Sequence, residues 1–339
     1  MTIATTRTWG QSRYAGLGIS KVVAVTTVML ASTLWPASPA QADDYPSRPI
    51  RLIVPFPVGG SSDNMGRMLS DKLATILKQP VVIENKAGAG GMIGTDAVAK
   101  SAADGYSLVL VDVFHTTTPV YTRKMPYDAV RDFTPVSLIA RSPLFLVSSP
   151  AFEPRTLRDF VAYARANPHK TTMAIAGTGS VVTDLFRARS QLQLNIVPYK
   201  GAAPAIQDLM AGQVNAFIST MASAGTQVKA GRVRVLAVTG NQRSIDFPSV
   251  PTFAEGGING MDYEQWFGVL GPANLPKPIV DKLASAIAQV LIMPEVRERL
   301  ASLALEPASG EPQEMQRKVE GDFVKWQALA RELDIKPID

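Results

Sequence analysis

Two glycine- and hydroxyl-rich segments are the best candidates for chemistry in this sequence of 339 residues. Each follows an apolar run and leads directly into a helical pattern. The first segment comprises Val58, Gly59, Gly60, Ser61, Ser62 and Asp63, and the second comprises Gly177, Thr178, Gly179 and Ser180. Glycine lets a backbone approach a ligand closely, and the free N–H groups of a helix's first turn attract anions. The two segments therefore predict a pair of loops that hold a small anion.

A purely structural interpretation of the same residues is also open, in which Ser61 and Ser180 only cap helices. For Asp63 a structural role is favoured over direct ligand contact, because a carboxylate at a helix start can accept backbone N–H bonds and orient the preceding loop. His115 follows a strand at the edge where α/β sheets hold ligands, so it is a candidate donor to a carboxylate. Its alternative role is a hydrogen bond to a local carbonyl.

The composition excludes several classes of catalytic and cofactor site. Cysteine is absent and there are two histidines, so thiol nucleophiles and the common zinc sites are excluded. In the run from Gly88 to Gly94 the third glycine falls one residue late for a dinucleotide fingerprint. Neither a phosphate-binding P-loop nor a nucleophile elbow is present. We expect no metal, no cofactor and no catalytic residue.

The N-terminus has the features of a secretory signal peptide. Three basic residues precede the apolar run Val22–Trp35, and small residues follow, ending at Ala42. We expect cleavage after Ala42 and a soluble, exported product. Processing leaves 31 basic and 29 acidic residues, a net charge of +2. A nucleic-acid partner is not expected at that charge. We also expect a monomer.

Short β-rich runs alternate with amphipathic helical patterns along the mature chain, which predicts an α/β fold of two lobes with mostly parallel sheets. Residues 43–141 and 266–339 form the first lobe, and residues 142–265 form the second. The chain would cross between them near Ala140–Ser142 and Tyr263–Phe267, which makes a hinge. One helix is predicted over Ser62–Lys78, with its apolar face on Met65, Leu69 and Leu73, and two long ones over Pro278–Leu303 and Pro312–Leu333.

Several short motifs, in order along the chain, give it a resemblance to a known family. They are Tyr45-Pro46-Ser47-Arg48-Pro49-Ile50, Pro55-Phe56-Pro57-Val58-Gly59-Gly60-Ser61-Ser62-Asp63, the run from Val82 to Gly91, Asp104-Gly105-Tyr106, Pro126-Tyr127-Asp128, the run from Val197 to Ala205, and Val250-Pro251-Thr252. With these motifs the mature chain resembles the Bug-type receptors of tripartite tricarboxylate transporters.

This resemblance implies a type II periplasmic-binding-protein fold that closes on an organic acid and delivers it to membrane transporter subunits. It also implies that backbone amides and hydroxyl groups of two loops, Val58–Asp63 and Gly177–Thr183, hold a ligand carboxylate. The remaining pocket wall would draw on residues outside these loops, namely His115, Thr116, Ser219 to Ala222 and the rings of Phe114 and Tyr199. Thr183 and Thr220 are therefore expected ligand contacts.

The second loop departs from the family pattern. Many members carry a polar residue or histidine after the Gly-Ser pair, where this chain has Val181-Val182-Thr183. That difference favours a ligand with an apolar or aromatic body over a tricarboxylate. Two alternatives to a transport receptor stay open: a sensory adaptor that signals to a membrane kinase, and a periplasmic enzyme acting on small acids.

Overall fold

Two β-sheets and the helices that flank them organise the computed structural model, which describes residues 45–176 and 179–337. The predicted signal peptide, residues 1–42, lies outside the described residues. The described residues all belong to one compact unit. None of their helices is both long and apolar enough to span a membrane.

The first sheet has six strands in the spatial order β11-β4-β10-β3-β1-β2, and the second has five in the order β7-β6-β8-β5-β9. The strands of the first sheet are β1 (Ile50–Val54), β2 (Val81–Asn85), β3 (Ser107–Asp112), β4 (Phe133–Pro143), β10 (Glu264–Pro272) and β11 (Glu306–Pro307). Those of the second are β5 (Phe145–Ser148), β6 (Thr172–Ile175), β7 (Asn195–Pro198), β8 (Ala216–Ser219) and β9 (Arg234–Val238).

Ten α-helices connect or follow these strands in the described residues. They are α1 (Ser61–Leu77), α2 (Met92–Ala99), α3 (Phe114–Tyr121), α4 (Leu157–Ala166), α5 (Gly179–Ser190), α6 (Ala202–Met210), α7 (Met221–Lys229), α8 (Lys277–Leu291), α9 (Pro294–Ser302) and α10 (Pro312–Glu332). The α/β class predicted from the sequence is confirmed.

Helix α1 shows why the local pattern folds as it does. Met65, Leu69 and Leu73 recur at a spacing of four residues, so they share one face, and all three are buried against the first sheet. The helix ends at Lys78, which takes a left-handed backbone conformation. This packing fixes the position of the helix N-terminus beside the end of β1.

The sheets are mixed, whereas the sequence pattern predicted mostly parallel ones. In the first sheet β1 pairs in parallel with β2 and β3, but β10 runs antiparallel to β3 and β4. In the second sheet β6 pairs in parallel with β7 and β8, but β5 runs antiparallel to β8 and β9. Strands β4 and β5 flank one crossing between the sheets, β9 and β10 flank the other, and β11 adds a further antiparallel pair at the edge of the first sheet.

One predicted helix is two helices, because a proline interrupts it. The pattern over Pro278–Leu303 is helical throughout, yet α8 ends at Leu291 and α9 begins at Pro294. Met293 before this proline has an extended backbone, as expected from the clash that proline imposes on its predecessor. The sequence analysis also missed strand β4 and helices α3 and α7.

The two crossings lie side by side and are joined by one hydroxyl group. Strands β4 and β10 pair antiparallel up to Glu264 opposite Pro143. The chain therefore leaves the first sheet at the end of β4 beside the point where it returns at the start of β10. The Thr239 hydroxyl accepts from the N–H of Leu144 (2.8 Å) and donates to the carbonyl of Tyr263 (2.5 Å). The predicted lobe boundaries, after residues 141 and 265, fall inside these two strands, and the division into lobes remains a prediction.

Replacing Thr239 with valine should destabilise the protein, since it leaves the N–H of Leu144 and the carbonyl of Tyr263 buried without this partner. We expect Thr239→Val to lower the free energy of unfolding by about 1–3 kcal/mol in denaturant titrations. Thr75→Val, on the exposed side of α1, is the matched control and should change it by less than about 0.5 kcal/mol. Equal effects of the two variants would contradict a special role for Thr239.

Candidate ligand-binding site

A cleft of about 610 Å³ has walls from both sheets and from the helices that follow their strands. Strands β1, β3, β6, β7 and β8 all end towards it, since residues just past each of them line the cleft or lie at its edge. The carboxyl ends of strands are the usual ligand edge of α/β sheets. The cleft is therefore the candidate binding site.

The start of α1 forms one wall of the cleft. Gly59, Gly60, Ser61 and Ser62 line it, and no side chain caps the helix at Gly60. The first N–H that bonds back into the helix is that of Asn64, which donates to the carbonyl of Gly60 (3.0 Å). The three preceding amides have no intrahelical acceptor, and the helix dipole adds partial positive charge at this place. This wall can accept an anion.

Asp63 is buried and shapes the loop before α1. Its carboxylate accepts from Arg67 Nε (3.0 Å), from the N–H of Gly59 (2.9 Å) and from Asn85 Nδ2 (2.9 Å). The hydrogen bonds from Arg67 and Gly59 hold the pKa of Asp63 at about 2, and the bond from Asn85 adds to them against the opposing effect of burial. Asp63, included among the predicted ligand contacts, makes the backbone and side-chain bonds of the structural role that the sequence favoured, and it is not among the residues that line the cleft.

The second predicted segment is described only in part. Gly177 and Thr178 lie outside the described residues, and Gly179 and Ser180 begin α5. Ala176, just before them, lines the cleft. Thr183 is fully buried in α5 and is not among the cleft residues. Because Val181 and Val182 are buried too, their apolar character reflects packing of α5 and gives no information on the ligand.

Two further helices begin at the cleft. Helix α6 begins after Gly201, which lines the cleft with Lys200 and Ala202. Helix α7 begins after Thr220, which lines the cleft with Ser219, and both residues stay predicted ligand contacts. Neither helix start has a side-chain cap. The sequence analysis missed α7, although Ser219-Thr220 after an apolar strand is a typical helix-start signal.

His115 and Thr116, both predicted ligand contacts, do not line the cleft. The chain enters α3 directly after β3, which turns both side chains inward, and they are 4% and 0% exposed. His115 donates from Nε2 to the carbonyl of Ala129 (2.7 Å), and burial lowers its pKa to about 4. A neutral imidazole tied to a carbonyl is the alternative that the sequence left open.

Three other predicted positions are divided between the cleft and the rest of the surface. The ring of Phe114 lines the cleft. Val58 is 69% exposed and lies outside the lining. Tyr199 also lies outside it, and its hydroxyl donates to Asp208 (2.6 Å). The first loop thus contributes its glycines and serines and not its valine.

Asp112 and Gln265 line the cleft and were missed in the sequence analysis. Asp112 ends β3, where an aspartate after the apolar run from Leu108 to Val111 is the signal that would have revealed it. Its carboxylate accepts from the hydroxyl of Ser62 (3.1 Å) and from the N–H of Phe114 (2.9 Å). Gln265 gave no sequence signal, because the pairing of β10 with β4 alone brings it to the cleft.

The cleft carries little formal charge on its side chains. Among its described lining residues, Lys200 is the one basic residue and Asp112 the one acidic residue. Lys200 is exposed, whereas Asp112 is 6% exposed. The described residues contain no group of three or more His, Cys, Asp or Glu side chains arranged for a metal ion. Backbone dipoles and aromatic rings dominate the described walls.

The fold with its cleft matches solved solute-binding proteins. A Rhodopseudomonas palustris protein solved with adipate shares 34% identity with a TM-score of 0.76, covering 87% of this chain and all of that one. The periplasmic binding protein BugD shares 32% identity with a TM-score of 0.74, covering 87% and 100% of the two chains. MatC from Rhodopseudomonas palustris with bound malate shares 30% identity with a TM-score of 0.72, covering 84% and 99%. The chain therefore has the fold of the periplasmic solute-binding proteins.

Sequence comparison identifies the family within this class. The family model described as "Tripartite tricarboxylate transporter family receptor" matches residues 65–335. The protein BugT of Bordetella pertussis is 37% identical over 328 residues, covering 94% of this chain and 99% of that protein. A UPF0065 protein of Pseudomonas sp. strain P51 is 35% identical over 319 residues, covering 93% and 94%. The chain belongs to the tripartite tricarboxylate transporter receptor family and is a solute-binding receptor.

The bonds of Asp63 predict a specific acid sensitivity. Its pKa is about 2 in the folded protein against 3.8 as the ordinary value, so its contribution to stability is present above pH 3.8 and is lost as the pH falls towards 2. Asp63→Asn should remove this contribution, so the free energy of unfolding measured in denaturant titrations should fall less between pH 3.8 and 2 than it does in the wild type. Asp71→Asn, at an exposed position on the same helix, should leave it in place. If the free energy of unfolding of Asp63→Asn falls with pH as much as that of the wild type, this assignment is wrong.

Proposed function

We propose that this receptor captures a small organic acid by holding its carboxylate on the first turn of α1. The observation that carries the proposal is the uncapped start of this helix in the cleft, with the N–H groups of Ser61, Ser62 and Asp63 lacking intrahelical acceptors. A carboxylate there receives charge-assisted hydrogen bonds without a salt bridge. The scarcity of basic residues among the described lining residues agrees with this mode of binding.

The second segment, Gly177, Thr178, Gly179 and Ser180, is proposed to contact the same ligand from the opposite wall. Two observations support it: α5 begins at Gly179, and the neighbouring Ala176 lines the cleft. Ser219 and Thr220, at the start of α7, are proposed to hydrogen-bond the ligand from the same side. A ligand bridging both walls would stabilise a closed arrangement.

The body of the ligand is proposed to be aliphatic or aromatic. Four phenylalanine rings line the cleft, those of Phe56, Phe114, Phe217 and Phe267, and Leu303 and Leu305 extend this apolar wall. An apolar pocket with few placed polar groups is typical of small-molecule sites. The relatives solved with adipate and with malate support an aliphatic dicarboxylate as the first compound to test.

We further propose that the receptor works in the periplasm as a monomer without enzymatic activity and delivers its ligand to membrane transporter subunits. The family and the solved relatives, which are binding proteins, support the periplasmic location and the delivery to membrane transporter subunits. The predicted signal peptide supports export. A monomer is sufficient because residues of one chain line the cleft on every described side.

Ser61→Pro tests the amide-based binding directly. Proline is well tolerated at the first helical position, and the extended backbone of Gly60 (φ −75°, ψ 171°) suits a residue before proline, so the helix should persist without this N–H. Calorimetry with adipate, malate and benzoate should show the best of these acids bound about 10- to 150-fold more weakly than by the wild type, since a hydrogen bond to a charged group is lost.

Ser61→Ala is the matched control, because it removes the hydroxyl and keeps the N–H. It should bind the acid at least about tenfold more tightly than Ser61→Pro. Bound acid should also raise the melting temperature of the wild type. If the two variants bind equally well, α1 does not hold the carboxylate. If an amine or a sugar raises the melting temperature and no acid does, the proposed function is wrong.

A further inference from the structure

Asp112 is a buried carboxylate in the lining of the cleft that the amide-based binding does not use. It is 6% exposed and lines the cleft beside the start of α1. Each of its oxygens accepts one hydrogen bond, Oδ1 from the N–H of Phe114 and Oδ2 from the hydroxyl of Ser62. Ser62 belongs to the helix turn that is proposed to hold the ligand carboxylate. A ligand there lies close to Asp112.

Gln265 is a second unexplained polar group at the same place. It is 6% exposed, lines the cleft, and its Oε1 has no hydrogen-bond partner within the described part of the chain. Strand β10 lies beside β3, with Phe267 opposite Asp112. Gln265 is two residues from Phe267, so its side chain lies on the same face of the sheet as that of Asp112. Because an amide oxygen accepts, this unpartnered Oε1 indicates a ligand group that donates a hydrogen bond, such as a hydroxyl.

None of the titratable groups around Asp112 supplies a compensating positive charge. His115 on α3 is buried, and its lowered pKa of about 4 makes it neutral at pH 7. Tyr263, before β10, has a pKa raised well above 10 by burial first and by the charges of Asp112 and Asp322. Arg67 on α1 is engaged by Asp63, and Lys200 across the cleft is exposed. Burial therefore raises the pKa of Asp112 to about 7, although the bonds from Phe114 and Ser62 oppose this.

A ligand carboxylate on α1 would place a second negative charge beside this one. Two carboxylates that share a site do not both stay ionised, because each raises the pKa of the other. Among the described lining residues the one basic side chain is that of Lys200, which is exposed and forms no bond with Asp112. Protonation of one member turns the repulsion into a hydrogen bond between an acid and a carboxylate.

We propose that Asp112 is a specificity-determining residue that is protonated in the complex and donates its O–H to the ligand carboxylate. The proton comes from solvent, so capture of one ionised acid is accompanied by uptake of up to one proton. No covalent bond forms or breaks in the ligand. This inference rests on the proposed capture of a carboxylate and adds a requirement to it: the site recognises the acid together with a proton.

Calorimetry of the full mature protein with malate and with adipate tests the inference. Titrations at about pH 8 in two buffers of different ionisation enthalpy give the number of protons taken up, which should approach one for the wild type. Affinity should fall about tenfold for each pH unit above pH 7. Asp112→Asn keeps the shape of the side chain and, like the protonated acid, carries no charge. This variant should therefore bind the acid without proton uptake and with an affinity independent of pH.

Asp71→Asn is the control for charge, since Asp71 is exposed on α1, and it should keep the proton uptake of the wild type. Ser62→Ala is the second variant. It removes a hydrogen bond that lowers the pKa of Asp112, so the fall in affinity should begin at higher pH. An unchanged onset in Ser62→Ala overturns the inference.

The remaining outcomes separate the two proposals. If either acid binds the wild type without proton uptake, or if Asp112→Asn retains the uptake, Asp112 does not have this role, and the proposed function still stands. If neither acid nor benzoate binds at any pH between about 6 and 9, the proposed carboxylate function fails and this inference fails with it.

Discussion

The first turn of a helix leaves its N–H groups without intrahelical partners, and this constraint determines how the cleft is built. Strands β1, β6, β7 and β8 each lead into a helix, and residues beside the starts of α1, α5, α6 and α7 line the same space. The backbone thus supplies several partial positive charges that require no basic side chain. A site of this kind can hold an anion while its side chains remain free to match the rest of the ligand.

The parts of the structure that follow from local pattern were predictable. The periodicity of Met65, Leu69 and Leu73 gave α1, and the glycines before Ser61 marked its start, because an amphipathic stripe and a glycine turn are local properties. The crossings predicted near Ala140–Ser142 and Tyr263–Phe267 overlap the ends of β4 and β10, and the division into lobes stays a prediction. The predicted loop residues Gly59, Gly60 and Ser61 line the cleft, and their contact with a ligand stays a prediction.

The parts that depend on pairing between distant segments were not predictable. Gln265 reaches the cleft through the register of β10 with β4, and that register is set by contacts over more than a hundred residues of sequence. His115 is buried and does not line the cleft, because α3 begins without a loop after β3. A run of three threonines and a proline does not predict this helix. The mixed sheets have the same origin, since strand direction follows from the crossings and not from composition.

The hydroxyl of Thr239 bonds to both connections between the sheets. It contacts Leu144, just after β4, and Tyr263, just before β10, beside the backbone pairing of these two strands. Thr239 itself is not among the residues that line the cleft. Because the two connections share this one buried partner, a substitution outside the cleft lining acts on both of them together.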